Sequence, residues 1–366
     1  MSEKKHAIAE VRVDPCIMPK DDPEWKFALA ANPNSEGWTV AITTEAGDRG
    51  YGYASAMPHY GAPLEAVRAN IQDFARSMVG KDSRAIAAIL HRLDRQVVGN
   101  NQAKSAIDCA LHDLMARRLG VPLCELFGGA MRTEFESLRI LPIKKPADMA
   151  ANARKLMQKG VRHFKIKVHG EVELDIARVA AIREECGPDV GLTIDANQSY
   201  TPKDAIRAIT GMVPFNIALA EQPVAASDLR GLKLVTDSVP VVVEADEAAD
   251  SLDQVFTLVQ GRMVDAVSLK ITKLGGLRNT IAAARICEAG GVRYRMGAHV
   301  GSRLLAANAV HMAATLPGIW YTCELTEFDR LLDDPFEGLE VDNGKVCLPT
   351  APGVGVSPKP GTPQAR

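Results

Sequence analysis

The sequence predicts an α/β protein built on a parallel (β/α)8-type TIM barrel preceded by a smaller α+β domain, and three observations carry that prediction. The chain has 366 residues, more than one compact domain usually holds and enough for a barrel with a second unit. Its first third reads as strands and then helices, the order of an α+β domain. From about residue 137 the rhythm changes to apolar strand, turn, amphipathic helix and strand again, repeating roughly every 25 residues.

Residues 7–13 (AIAEVRV) and 38–44 (WTVAITT) alternate as half-buried strands do, and Asp48-Arg49-Gly50 marks the return into Tyr51-Gly52-Tyr53. Helical periodicity follows near 64–79, 84–96 and 101–119; the last segment ends at Gly120 before Pro122. Candidate barrel strands are 138–142, 162–168, 191–195, 217–221, 240–244, 264–270, 292–297 and 319–325. Helices fit between them, among them 146–159, 172–186, 202–212, 251–260 and 279–290. A doubly wound open sheet is the alternative topology, but no GxGxxG follows the first strand. These readings place the domains at 1–132 and 133–339, with 340–366 as a C-terminal segment.

A formal charge of −2, with basic and acidic residues intermixed, leaves no basic stripe for a phosphate backbone, so nucleic acid is not an expected partner. The seven cysteines are odd in number, spread out and without a CxxC pair, which suits buried thiols in a reducing cytoplasm. The N-terminus has charges but no apolar core of signal-peptide length, and no stretch approaches the ~20 apolar residues of a membrane span. The expectation is a soluble cytoplasmic protein.

Active sites of such barrels lie at the C-terminal strand ends, where this sequence repeatedly closes an apolar strand with a charge. FKIKV supplies Lys165 and Lys167, LTID supplies Asp195 with Asn197 beyond, IALAE supplies Glu221, VVVEAD supplies Glu244 and Asp246, and VSLK supplies Lys270. One such acid alone reads equally well as a salt-bridge partner. Asp195, Glu221 and Asp246, on successive strands ~4.8 Å apart, would repel one another without a cation between them. A hard divalent ion such as Mg2+ takes oxygen donors and leaves positions for substrate, and matching His and Cys for zinc are missing. Asn197 and Gln222 fit supporting positions.

Lys165 and Lys167, at i and i+2, share one face of their strand. Turned inward, each is expected to depress the other's pKa and bring a lysine toward the range of a general base. Lys270 closes a strand four positions further round and would face Lys167 across the mouth. A metal between two lysines suits removal of the proton α to a carboxylate through an enediolate.

These residues resemble the enolase superfamily, within it the muconate-lactonizing (muconate cycloisomerase / mandelate racemase-like) subgroup. The match runs through KxK of FKIKV, DAN of TIDANQSY, EQP of LAEQPV, ADE of VEADEAA and LKITKLGG, in family order and spacing. It extends to Ala106-Ile107-Asp108, Gly120-Val121-Pro122-Leu123 and Leu126-Phe127-Gly128-Gly129, and to Pro352-Gly353-Val354-Gly355-Val356 in the tail. The resemblance implies a modified (β/α)7β barrel, an N-terminal capping domain to which the tail returns, and a homo-oligomer. It implies Asp195, Glu221 and Asp246 as Mg2+ ligands, Lys167 and Lys270 as the acid/base pair and Lys165 as an assistant. A His-Asp dyad is not expected, because Lys270 ends the sixth strand.

The sequence departs from its relatives at Met296-Gly297-Ala298-His299, which lacks an acid many of them carry. His299 is either a substrate contact or a loop histidine, and Glu324 either a site acid or part of a salt bridge; Glu247 joins Asn197 as a supporting candidate. Two capping loops, near 20–33 and 51–60, would close over the substrate, offering Trp25, Lys26, Tyr53, His59 and Tyr60. Lys26 hints at an anionic distal group. The leading expectation is cycloisomerisation, racemisation or epimerisation of a small carboxylate; dehydration of a hydroxy acid through the same intermediate is the alternative, and a non-catalytic carboxylate-binding barrel the alternative of another class.

Overall fold

The computed structural model describes residues 4–365. Strand β1 (Ile8–Pro19) leads through a small hairpin, β2 (Lys26–Phe27) and β3 (Ala30–Ala31), into β4 (Asn34–Thr44) and β5 (Arg49–Ser55). The order β1-β4-β5 is an antiparallel meander, and β1 is an edge strand, which tolerates Pro15 and Pro19 because proline has no N–H to give an inner ladder. Helices α1 (Leu64–Met78), α2 (Ile86–Gln96) and α3 (Asn101–Leu119) cover one face. Their apolar sides meet Ile8, Trp38, Val40 and Ile42 in a core of their own.

Helix α3 is buried nearly all round because β5 lies directly on it. A Cβ at Gly50 would stand 2.2 Å from the Ala110 carbonyl oxygen, and one at Gly52 would stand 1.9 Å from that of Ala106. Only glycine permits this approach. The tail returns to the same helix. Asp113 accepts from Tyr51 N at 2.9 Å and from Val354 N at 2.8 Å, and Leu123 N donates to Gly353 O at 2.7 Å.

After β6 (Glu134–Glu136) come seven parallel strands: β7 (Leu138–Leu141), β8 (His163–Lys167), β9 (Gly191–Asp195), β10 (Ile217–Glu221), β11 (Val242–Ala245), β12 (Ala266–Leu269) and β13 (Arg293–Met296). They are hydrogen-bonded in chain order. Helices α4 (Pro146–Met157), α5 (Val172–Cys186), α6 (Pro202–Met212), α7 (Leu229–Ser238), α8 (Leu252–Gln260), the single turn α9 (Ile271–Leu274), α10 (Leu277–Gly290) and α11 (Arg303–Thr315) alternate with them. The fold class is the barrel with an N-terminal α+β cap that the sequence predicts.

The segment expected as the eighth strand, 319–325, is extended but forms no ladder. It touches β13 through the Tyr294–Ile319 bridge and through Glu324 N to Met296 O at 2.9 Å. Between these points the Met296 N–H goes to Cys323 Sγ at 3.4 Å, so no carbonyl completes the pairing. On the other flank side chains close the ring: Ile140 N donates to Glu327 Oε1 at 2.9 Å and Arg330 donates to Ile140 O at 2.9 Å. Six cysteines are buried and Cys347 is exposed. Among the described residues no helix is long and apolar enough to cross a membrane.

Candidate active site

Parallel register sets the floor of the site. Lys167 pairs with Asp195, Asp195 with Glu221, and Glu221 with Glu244. Asp246 lies two residues beyond Glu244, higher toward the rim on the same alternation. Lys165 and Lys167 both face inward and are buried.

The Lys165 ammonium stands among three carboxylates, 2.8 Å from Glu221, 2.9 Å from Glu324 and 3.0 Å from Asp195. Lys167 donates to Asp195 Oδ2 at 2.5 Å and Asn197 Oδ1 at 2.8 Å. On the opposite side Lys270 donates to Asp246 Oδ2 at 2.5 Å. Asn197, in a left-handed conformation (φ 41°), turns its amide nitrogen to Glu247 Oε1 at 3.1 Å. Gln222 accepts from Asp246 N and Ala248 N at 2.9 and 3.0 Å, fixing the turn that presents Asp246.

Electrostatics correct one expectation. The two lysines of KxK do not depress Lys165: burial, the largest influence, lowers its pKa, but Asp195, Glu221 and Glu324 together outweigh it and hold it well above the ordinary lysine value. Lys270 is likewise held up, by Asp246 against its burial. Burial would raise Asp195 and Asp246, yet their lysine partners carry both below the ordinary range. Glu247 moves the other way, to about 7, through burial and then the neighbouring Asp246 and Asp195 charges.

Two residues in the floor were missed in the sequence. Arg295, fully buried in the middle of β13, donates to Glu221 at 2.6 Å, Glu244 at 2.7 Å and Glu324 at 2.9 Å. A charge placed between the apolar residues of a strand was the available signal. Glu324 is therefore part of this ion-pair network. Lys273, on α9, donates to Asp246 Oδ1 at 2.7 Å, Asp246 O at 2.6 Å and Ser268 O at 2.8 Å. It lies in the LKITKLGG segment, but nothing in the spacing says that this lysine turns inward.

Above the floor lies a cleft of about 660 Å3 whose walls include Lys165, Lys167, Lys270, Asp246, Asn197, Glu247, His299 and Glu324. The cap closes it with a run of rings: Trp25–Phe27, Phe27–His59, His59–Tyr60 and Tyr60–His299, with centroids 5.7, 5.5, 4.9 and 5.1 Å apart. Trp25 is buried and His59 exposed at the rim. Two expected contacts are corrected. Lys26 is exposed and outside the cleft, because alternation along β2 puts Phe27 on the inner face and Lys26 on the outer one. Tyr53 is buried but also outside the cleft, packed over Gly37 and Gly301. Lys20, absent from the sequence-based set, lines the cleft instead.

The acids fit a hard cation in chemistry: an all-oxygen set in which Asp195 and Glu221 lie within 3.0 Å of one ammonium, with Glu247 Oε2 buried and unpartnered. Among the described residues no trio of His, Cys, Asp or Glu is arranged as around a metal, since the lysines stand on the carboxylate oxygens. Metal binding at these acids therefore requires the lysine ammoniums to give way.

Comparison with known proteins is decisive at the family level. Residues 16–128 match the mandelate racemase / muconate lactonizing enzyme N-terminal domain, and 148–362 match the enolase C-terminal domain-like family. The L-Ala-D/L-Glu epimerase of Clostridium acetobutylicum is 35% identical over 342 residues, 91% of this chain and 94% of that one. The chloromuconate cycloisomerase of Delftia acidovorans is 32% identical over 334 residues, covering 88% and 89% of the two chains. The dipeptide epimerase of Enterococcus faecalis, solved with Mg and the dipeptide L-Leu-L-Tyr, superposes with a TM-score of 0.92 at 32% identity over 96% of this chain and 99% of that one. The chain thus belongs to the mandelate racemase / muconate lactonizing enzyme family of the enolase superfamily, among relatives that are epimerases and cycloisomerases.

Proposed function

We propose that this enzyme epimerises or racemises the carbon α to the carboxylate of a small amino-acid-derived substrate, with dipeptides as the leading class. The observation that carries the reading is the placement of Lys167 and Lys270 on opposite flanks of the acid cluster, one on Asp195 and the other on Asp246. A base on each face suits removal of a proton from one side and its return from the other. The dipeptide class is supported by the names of the relatives from Clostridium acetobutylicum and Enterococcus faecalis. Cycloisomerisation, supported by the Delftia relative, shares the first step and is covered by the same test.

In this reading Asp195, Glu221 and Asp246 hold Mg2+; Lys273 holds the Asp246 side chain, Gln222 the turn that presents it, and the Asn197 backbone N–H donates to Asp195 Oδ1 at 2.9 Å. The chemistry supplied by bound Mg2+ is neutralisation of the charge that gathers on the substrate carboxylate as the α-proton leaves. Lys165, on the same strand face and within reach of Asp195, Glu221 and Glu324, assists Lys167. Lys167 takes or gives the proton on one face and Lys270 on the other. The ring-lined cap excludes water from the intermediate. Domain limits at 132 and 339, a homo-oligomeric state and a cytoplasmic location complete the proposal.

The test is proton NMR in D2O with Mg2+ across dipeptides, N-acylamino acids and muconates. Deuterium entering at the α-carbon with loss of stereochemical purity is the expected result; a dipeptide set that exchanges nothing refutes the dipeptide class. Lys167→Ala and Lys270→Ala, made separately, should each lose turnover by ~10² or more while Mg2+ still binds, each retaining exchange from one epimer. Unchanged rates in both variants would sink the assignment.

A further inference from the structure

Three rings that line the cleft carry a buried polar atom with no part in the proton transfers above, Trp25 Nε1, Tyr60 Oη and His299 Nε2, and the last two rings are neighbours. Tyr60 Oη and His299 Nε2 are buried and have no hydrogen-bond partner among the described residues. Their rings line the cleft that holds Lys167 and Lys270, and lie 5.1 Å apart. An unsatisfied buried polar atom is costly, so the neighbouring pair in the cleft points to a partner that arrives with the substrate.

Each atom comes from a different part of the fold and each is held. Tyr60 ends the cap turn pinned by Met57 N to Ala62 O at 2.7 Å and Ala62 N to Met57 O at 3.1 Å. His299 follows β13, and its Nδ1 is 2.7 Å from the buried Thr272 Oγ1. The bond to Thr272 fixes the imidazole ring and leaves Nε2 as the nitrogen offered to the cleft. No excess of positive charge marks the site for an anion. Lys20, Lys165, Lys167 and Lys270 line the cleft against Glu36, Asp246, Glu247 and Glu324, with no arginine among the described residues.

We propose that Tyr60 and His299 form a specificity pair that hydrogen-bonds an uncharged oxygen, a carboxamide or a hydroxyl, on the distal side chain of the substrate, and that Thr272 positions His299 for this contact. The inference rests on the dipeptide reading and narrows it to a neutral polar side chain on the epimerised residue.

The experiment measures kcat and KM for α-deuterium exchange by the Mg2+-loaded enzyme with L-Ala-L-Gln, L-Ala-L-Glu and L-Ala-L-Leu, for the wild type and for Tyr60→Phe, His299→Leu and Thr272→Val. The wild type should favour Gln over Glu by about 10-fold or more, and each variant should lower the Gln-to-Leu preference by about 10-fold, chiefly through KM. The Tyr60→Phe melting temperature should equal or exceed that of the wild type, because the lost hydroxyl has no internal partner. Equal use of Glu and Gln, variants that slow Gln and Leu by the same factor, or a Tyr60→Phe enzyme that melts lower would each overturn the pair. Exchange without discrimination removes the pair and leaves the dipeptide reading standing, whereas no exchange with any dipeptide removes both.

Discussion

Arg295 offers the sharpest test of how the site is held. Its fully buried guanidinium reaches Glu221 at 2.6 Å, Glu244 at 2.7 Å and Glu324 at 2.9 Å. Arg295→Met keeps bulk but leaves these carboxylates buried with only the Lys165 ammonium among them, and Lys165 touches Glu221 and Glu324 but not Glu244. Removing one partner of a buried ion pair costs about 3–5 kcal/mol, because the remaining charge loses its compensation. At ~2–4 °C per kcal/mol in chains somewhat shorter than this one, the melting temperature should fall by roughly 6 °C or more. Glu244 bears the largest uncompensated charge, so adding Glu244→Gln should restore part of the loss; Arg295→Lys should restore little, since an ammonium lacks the planar fork that serves three acids. Thermal unfolding reads stability and calorimetric titration reads Mg2+ affinity, which should also weaken as Glu221 loses its tether. An Arg295→Met enzyme that melts and binds Mg2+ like the wild type would refute the account, as would a double variant whose loss equals the sum of the singles.

Two further predictions concern the fold. Gly52→Ala places a methyl 1.9 Å from the Ala106 carbonyl, a backbone atom that cannot rotate away, so β5 must lift from α3 at a cost of about 1–3 kcal/mol or more; an unchanged denaturant midpoint would show that the contact is softer than it looks. His311 is buried, and burial takes its pKa from 6.5 to about 4. The unfolded chain therefore takes up this proton first, and stability falls as pH drops from 6.5 toward 4, by about 3 kcal/mol in all. His311→Asn should flatten that part of the melting-temperature profile relative to the wild type, and superimposable profiles would dismiss the histidine as the cause.

The sequence alone determined the parts of this protein that repeat. Apolar strands of fixed length followed by helical periodicity dictate a parallel barrel, and the charge that closes each strand lies at the rim whatever the loops do. Lys167, Asp195, Glu221, Asp246 and Lys270 were legible for that reason, and the structure gathers all five. Tertiary structure alone decided what has no period. Arg295 and Lys273 matter through partners 74 and 27 residues away, a relation set by register and by one turn of helix after β12. Cap residues carry no such rule. Phe27 faces the cleft and Lys26 does not, because a two-residue hairpin strand turns alternate side chains to opposite faces and its phase is fixed only when the loop docks on the barrel. The eighth strand reads as a strand because it is extended and apolar, yet Cys323 Sγ takes the Met296 N–H that a ladder would need, and Glu327 and Arg330 close the ring with side chains. His299 stood undecided between contact and loop; its fixed Nδ1 and free Nε2 are properties of the neighbours that the fold brings to it.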